Sequence, residues 1–170
     1  KQSDYESIRN IIDSSNTSVW VNQWISSSFA FRRVAAWLGK QENISMKVYG
    51  QEWGLGCNAV HFIDYFDFLT ERKSMKVSDY LFDEKLCLSK RDGFCEVIGH
   101  ININSENAST LELQSQYGES DGTIKIDIDS PNRSVKLVMH ADKLNCTFSE
   151  AGKIWDEEFK LKFQSNSTHR

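Results

Sequence analysis

The segment Thr123-Ile-Lys-Ile-Asp-Ile-Asp129 decides the fold class, because apolar and polar residues alternate along it without a break. In a β-strand successive side chains point to opposite faces, so this pattern predicts a strand with one buried face. Turn residues bound the segment, with Asp121-Gly122 before it and Ser130-Pro131-Asn132 after it. The segment therefore predicts an antiparallel sheet that is covered on one face only.

The same alternation recurs through the rest of the second half of the chain. Turn signals such as Asp92-Gly93 and Ala151-Gly152 separate the alternating groups. Short strands at regular intervals are typical of a meander. The alternating apolar residues are Cys95, Val97, Ile101 and Ile103, then Leu111 and Leu113, then Val135, Leu137 and Met139, then Leu144, Cys146 and Phe148, and finally Phe159, Leu161 and Phe163.

Before about residue 74 the apolar residues recur mainly at helical spacing. A helix is predicted from Phe31 to Leu38, and Gly39 suits the position after its C-terminus. A second, amphipathic helix is predicted from Ala59 and ends at Arg72-Lys73, since cations favour a helix C-terminus. Ile44, Met46 and Val48 alternate with polar or aromatic neighbours and predict one strand between these helices.

These patterns predict one α+β domain over residues 1–170, with N-terminal helices packed on a C-terminal antiparallel sheet of five or six strands, as a roll or a meander. The helix-rich part covers residues 1–73, the β-rich part residues 74–164 and a tail residues 165–170.

Composition excludes several classes of protein. The chain has 170 residues, of which 39% are hydrophobic and 26% charged, which is typical of one globular domain and not of a disordered chain. No apolar run approaches the roughly 18–20 residues that a membrane-spanning helix needs. The net charge is −4 and the pI about 5.6, which argues against nucleic acid as a partner.

Six Asn-X-Ser/Thr motifs indicate N-glycosylation, because about two would be expected by chance in this composition. Glycans need exposed asparagines, and most of these motifs lie where loops are expected. The alternative is that the motifs only reflect loops rich in serine and asparagine. The predicted glycosylation sites are Asn16, Asn43, Asn107, Asn132, Asn145 and Asn166.

Four cysteines favour disulfides over zinc, since their count is even and they form no Cys-X-X-Cys pair. We expect Cys87 to pair with Cys95 across a predicted hairpin, which leaves Cys57 to pair with Cys146. Glycans and disulfides together predict a secreted, extracellular protein. The alternative is four buried free thiols in a cytosolic protein.

The candidate acid/base pair is His61 and Asp64, which lie one helical turn apart, with Asp67 one turn further. The alternative is a solvated polar face of an amphipathic helix. His100 and His140 lie in predicted strands, but no spacing of ligands predicts a metal site. Motifs for a nucleophilic serine or for a phosphate-binding or dinucleotide-binding glycine loop do not occur, so no cofactor is predicted.

Aromatic residues are concentrated in the first half, and Trp20, Trp53 and Tyr49 are candidate binding residues. The leading hypothesis is therefore a secreted or cell-surface glycosylated domain that is stabilised by disulfides and acts by binding an unidentified protein. One alternative is a carrier that encloses a small apolar ligand. Another is a small α+β-roll enzyme that uses His61 and Asp64 as its acid/base pair.

Overall fold

Four helices and ten strands make up the described part of the computed structural model, which covers residues 2–15, 23–88 and 93–161. The helices are α1 (Gln2–Ser14), α2 (Trp24–Ser27), α3 (Phe29–Leu38) and α4 (Leu55–Leu69). The strands are β1 (Ser45–Gln51), β2 (Met75–Phe82), β3 (Cys87–Leu88), β4 (Cys95–Glu96), β5 (Gly99–Ser105), β6 (Thr110–Gln116), β7 (Ile124–Asp129), β8 (Arg133–His140), β9 (Lys143–Glu150) and β10 (Lys153–Lys160).

The main sheet is mixed and has eight strands in the order β10-β9-β8-β7-β1-β6-β5-β2. Strand β1 lies between β7 and β6, antiparallel to the first and parallel to the second. The prediction of helices packed on an antiparallel sheet of five or six strands is therefore wrong. The prediction failed because β1, although recognised as a strand, lies in the helix-rich part of the sequence and inserts into the middle of the sheet.

One face of the sheet carries the hydrophobic core. Ile124, Ile126 and Ile128 are buried, and so are Met46 and Val48 of the neighbouring strand β1. The opposite face is polar, since Lys47 of β1 lies 2.9 Å from Glu112 of β6. This division follows the alternation in the sequence, because every second side chain of a strand points to the same face.

Helices α3 and α4 contribute to the buried face and are fixed to each other. Phe31 and Tyr65 pack edge to face with ring centroids 5.1 Å apart. The Tyr65 hydroxyl also donates to the Phe31 carbonyl oxygen over 2.9 Å. This contact matters for the site described below, because α4 carries the residues of that site on the side next to α2.

Helix α4 and strand β2 differ from the sequence-based expectation. Helix α4 ends at Leu69, before Arg72-Lys73, because Glu71 and Arg72 have positive φ angles of 56° and 59° that a right-handed helix cannot continue. Strand β2 was not predicted, because it is an edge strand that is exposed on both faces. Such a strand has no alternation of apolar and polar residues to reveal it.

No disulfide joins any two of the four cysteines, so both predicted bridges are wrong. In the hairpin of β3 and β4, Cys87 lies opposite Glu96, and Cys95 lies opposite Leu88. Cys87 and Cys95 therefore point to opposite faces of the hairpin. Cys57 is exposed on α4 whereas Cys146 is buried in the core, which explains why the second bridge is also absent.

No helix among the described residues is both long and apolar enough to cross a lipid bilayer.

Candidate functional site

A cavity of about 490 Å³ lies beside α4, at the ends of strands β7 and β8. We call it the His61 pocket. Helices α2 and α4 form one wall, and the loop between β6 and β7 together with the end of β8 forms the other. Its polar and aromatic lining includes Trp24, Asn58, His61, Asp121 and His140.

The imidazole of His61 has a fixed orientation in this pocket. Its Nδ1 lies 2.8 Å from Oε1 of Gln23, the residue that precedes α2. A carboxamide oxygen only accepts hydrogen bonds, so Nδ1 carries the proton of the neutral ring. Nε2 then holds a lone pair, and it has no hydrogen-bond partner among the described residues. The edge of Trp24 packs against the ring at a centroid distance of 6.2 Å.

Burial lowers the pKa of His61 below its ordinary value, and the negative charge of Asp64 partly opposes this effect. The ring is therefore neutral at pH 7, as a proton acceptor must be. The structure thus places one member of the predicted acid/base pair in a pocket.

Asp64 and Asp67 do not act as direct partners of His61. Among the described residues, Asp64 Oδ2 is buried without a hydrogen bond, so the carboxylate influences His61 through its charge alone. The pKa of Asp67 is raised, mainly by burial. The predicted pair, His61 and Asp64, therefore interacts through charge and not through a hydrogen bond.

Asn58 lies one turn before His61 on α4 and separates the His61 pocket from a second cavity of about 250 Å³. The Asn58 amide nitrogen donates to the Trp53 carbonyl oxygen over 2.8 Å. That bond orients the side chain and leaves Oδ1 without a donor among the described residues. We call the second cavity the Glu96 pocket, because Glu96 and Glu52 supply its charged groups.

Glu96 also closes the N-terminus of α4. Its Oε2 accepts a hydrogen bond from the Gly56 N–H over 2.9 Å. The first amides of a helix are the usual site for a phosphate or another anion. Here a carboxylate of the chain already occupies that position, so the turn Gly54-Leu55-Gly56 does not act as a phosphate-binding loop.

The loop between β6 and β7 borders both cavities, with Ser120 at the Glu96 pocket and Asp121 at the His61 pocket. The Thr123 amide donates to Asp121 Oδ1 over 2.8 Å, and this bond lowers the pKa of Asp121. The Thr123 hydroxyl lies 3.1 Å from His140 Nδ1. The loop is thereby tied to the end of β8.

Of the three aromatic candidates, the two that the structure describes, Trp53 and Tyr49, are not brought together. Trp53 is buried, and its indole N–H donates to the Gln114 carbonyl oxygen over 2.7 Å, so it fixes the turn before α4 to the sheet. The Tyr49 hydroxyl donates to Asp127 over 3.2 Å on the polar face. Trp20 lies outside the described residues.

The predicted glycosylation sites fall in several environments. Asn43, Asn132 and Asn145 are exposed, and Asn107 is half-buried. Asn16 and Asn166 lie outside the described residues. Their glycosylation stays a prediction.

His100 and His140 are far apart in the sheet. Strands β7, β1 and β6 separate the strands that carry them. His100 Nε2 instead lies 2.9 Å from Asp79 at the β2 edge.

Sequence reasoning missed Gln23, Asn58, Glu96 and Asp121. Asn58 and His61 are three residues apart on one helix, and this spacing could have revealed Asn58 as a residue of the site. Gln23 and Glu96 had no such signal, because α2 and the β3–β4 hairpin reach α4 only through the tertiary fold.

Comparisons with family models and with curated protein sequences find no match for this chain. Solved structures do share its fold. A protein from Desulfitobacterium hafniense assigned as an NADPH-dependent oxidoreductase has a TM-score of 0.64 at 11% identity, with 90% of this chain and 52% of that chain covered. A 3-ketoreductase from Actinomadura kijaniata, in complex with TDP-benzene and NADP, has a TM-score of 0.63 at 13% identity, with 92% and 51% covered.

The super-repressor mutant of Gal80p from Saccharomyces cerevisiae has a TM-score of 0.59 at 16% identity, with 92% of this chain and 50% of that chain covered. The chain therefore spans about half the length of each of these proteins. At these identities the likeness shows the fold alone.

The described residues do not fit a nicotinamide dinucleotide. The sheet has one parallel strand pair among its described strands, whereas a doubly wound dinucleotide fold is mostly parallel. The N-terminus of α4 is filled by Glu96. A dinucleotide would therefore need groups beyond these residues.

The expectation of a secreted recognition domain is contradicted, because this chain shares its fold with solved structures described as an NADPH-dependent oxidoreductase and a 3-ketoreductase. The extracellular location is not tested by this likeness and stays a prediction. The chain shares its large mixed sheet with these solved structures, over about half of their length.

Proposed function

We propose that this chain is the ligand-binding half of an oxidoreductase-type protein, with His61 as the group that exchanges a proton with the ligand. The observation that carries the proposal is the neutral imidazole of His61, held in one tautomer by Gln23 and open at Nε2 within a pocket. The likeness to solved oxidoreductase chains supports it at the level of the fold.

The chemistry that these residues perform is a proton transfer. His61 Nε2 accepts a proton from a ligand hydroxyl and leaves an alkoxide, and in the reverse direction the protonated ring returns that proton to the alkoxide oxygen. Burial disfavours the imidazolium, while the charge of Asp64 favours it. Burial is the larger of the two effects, so the free site holds the neutral ring that can accept a proton.

The ligand that suits this pocket is small and has both polar and apolar groups. Asn58, Asp121 and His140 line the pocket together with His61, and apolar side chains such as Ile25, Phe62 and Met139 complete the lining. The solved neighbours have a further half that does not match this chain. The redox part of a reaction would need groups from such a half, supplied by the same chain or by a protein partner.

A titration of the isotope-labelled chain with glucose, as a ring that carries several hydroxyls, tests the proposal. We expect the ring resonances of His61 to shift in a saturable way, and we expect His61→Gln to identify them by their loss. Tryptophan fluorescence should show weaker glucose binding in His61→Gln, because an acceptor for a ligand hydroxyl is lost.

The matched control is His100→Gln, since His100 lies at the β2 edge beside Asp79 and outside the pocket. Its glucose binding should equal that of the unchanged chain. If glucose shifts no His61 resonance, or if both variants lose binding equally, His61 is not the proton-exchanging group of a ligand site.

A further inference from the structure

Strand β2 forms one edge of the main sheet and is open on its outer side. Its backbone pairs with β5 on the inner side, and no other described strand pairs with it. Its side chains are exposed from Lys76 to Phe82. The outer N–H and C=O groups of an edge strand can pair with another chain unless proline or several lysines prevent it. Strand β2 has no proline and a single lysine, so its edge is not protected in this way.

One face of β2 is apolar although it is exposed. Val77 lies opposite Ile103 of β5, which is buried in the core. Tyr80 lies opposite Ile101, which packs against the core. Opposite residues of an antiparallel pair point to the same face, so Val77 and Tyr80 continue the core face of the sheet, yet they are 50% and 63% exposed. Phe82 packs against Tyr80 at a centroid distance of 5.7 Å, so the exposed apolar groups form one patch.

A β-bulge lies at the centre of β2. The pairing with β5 shifts between Val77 and Asp79, so Ser78 is the extra residue. A bulge in an edge strand normally prevents further pairing, because an incoming strand has no residue to match the extra one. A second copy of β2 has the same extra residue, so it is a strand that can match this edge.

The order of faces along β2 is the same when it is read in either direction. The bulge pair Ser78-Asp79 lies at the centre, with three residues on each side. Because of this symmetry, an antiparallel second copy related by a two-fold axis at the bulge matches β2 face to face along its whole length. The core-face residues are Met75, Val77, Tyr80 and Phe82, and the flanking residues of the opposite face are Lys76 and Leu81.

We propose that β2 pairs with β2 of a second copy of this chain, antiparallel about a two-fold axis at the Ser78-Asp79 bulge, so that two eight-stranded sheets join into one. Val77 then lies opposite Tyr80 of the second copy, and Met75 lies opposite its Phe82. The two apolar patches meet and are removed from water together.

The opposite face adds a charge pair to the same register. Lys76 lies diagonal to Asp79 of the second copy, at a spacing that a long side chain can reach, and the two-fold axis repeats the pair. Asp79 already lies 2.9 Å from His100 Nε2, but a carboxylate accepts several hydrogen bonds. A strand of another protein would not by itself provide both the matching bulge and the matching charges. The occupant that fits this edge is therefore a second copy.

Analytical ultracentrifugation of the 170-residue chain, from about 1 μM to about 1 mM, tests the proposal. We expect a reversible change from the 19.6 kDa of one chain to twice that mass. The dissociation constant should be on the order of 10 μM, because an edge-to-edge contact is smaller than a standard protein interface. Hydrogen exchange at the backbone amides of β2 should slow as the concentration rises, while β10 at the other edge of the sheet should not change.

Two sets of variants assign the dimer to β2 and to the proposed register. Tyr80→Lys should weaken the dimer at least about tenfold, since the charge would lose its water against the apolar patch. The matched control is Ile154→Lys on β10, which also replaces an exposed apolar residue of an edge strand and should dimerise like the unchanged chain. Lys76→Asp should weaken the dimer through repulsion, and adding Asp79→Lys should restore it by reversing both signs. Circular dichroism checks that each variant is folded.

A chain that stays monomeric at about 1 mM overturns the proposal and leaves β2 to a different partner. A dimer that Tyr80→Lys leaves intact, or that Ile154→Lys weakens equally, also overturns it, because the contact would then lie elsewhere. If the combined Lys76→Asp and Asp79→Lys variant does not recover, the register about the bulge is wrong. Concentration-dependent protection of β2 together with this recovery supports the proposal.

Discussion

Replacing Gln23 with glutamate tests the environment of His61 directly. In the unchanged chain the Gln23 carboxamide accepts from Nδ1 over 2.8 Å, and burial lowers the pKa of His61. Gln23→Glu keeps the acceptor and adds a negative charge at the same atom. The charge favours the imidazolium, so the pKa of His61 must rise.

The size of this effect follows from the contact distance and the exposure. A carboxylate within about 4–6 Å shifts a pKa by about 1–3 pH units, and the half-buried His61 ring places the effect near the lower end. We expect a rise of about one pH unit, which corresponds to about 1.4 kcal/mol. Asp64→Asn should act in the opposite direction, because the charge of Asp64 raises the pKa of His61.

The same reasoning fixes the pH dependence of stability. The folded state holds the pKa of His61 below its ordinary value of 6.5, so below that pH the unfolded chain binds more protons than the folded one. The contribution of His61 to the free energy of unfolding is therefore complete above pH 6.5 and declines as the pH falls through the lowered value. Gln23→Glu should reduce this decline.

The assay is a pH titration of the His61 ring resonances, in which the nitrogen shifts also report the tautomer. Gln41→Glu is the matched control, because Gln41 bonds the Leu38 carbonyl oxygen away from the pocket. The reasoning is refuted if Gln23→Glu leaves the pKa of His61 unchanged, if the control moves it equally, or if the neutral ring carries its proton on Nε2.

Two further predictions concern the scaffold and the thiols. Arg133→Met should lower the free energy of unfolding by about 2 kcal/mol, measured by urea denaturation. The reason is that the guanidinium donates to the Trp37 carbonyl oxygen at the end of α3 and pairs with Glu150 at 2.7 Å. A loss below about 0.5 kcal/mol would contradict this prediction. In the folded chain at about pH 8, iodoacetamide should label the exposed Cys95. It should not label Cys146, because burial raises the pKa of that thiol to about 12. Mass spectrometry of the peptides measures both, and labelling of Cys146 would be the contrary result.

The local structure of the chain was readable from its sequence, but the order of the strands was not. Periodicity located the helix ending at Leu38 and the strand that contains Ile124 to Ile128, because both bury one regular face. Nothing in the pattern of Met46 and Val48 says that β1 pairs with strands more than 60 residues later in the chain. Pairing partners depend on tertiary contacts, which local periodicity does not encode.

The site divides in the same way. His61 was a candidate because histidine on a helix next to a carboxylate is visible in one segment. Its hydrogen-bond partner was not visible, since Gln23 precedes α2 and lies 38 residues earlier in the chain. The predicted disulfides failed for a related reason: the register of β3 and β4, which turns Cys87 and Cys95 to opposite faces, is a property of the hairpin and not of the cysteine count.

Glu96 decides whether the N-terminus of α4 is open to an anion. Without its carboxylate, the N-terminus of the 15-residue helix α4 would present free amides and a partial positive charge to the cavity. Such a helix end attracts phosphates, and phosphorylated ligands would then be favoured. With Glu96 bonded to the Gly56 amide, a carboxylate of the chain fills that position and disfavours an anion there. Because Glu96 lies on β4, a short hairpin strand outside the main sheet, a change in that hairpin would expose the N-terminus of α4 while the eight-stranded sheet and His61 stay in place.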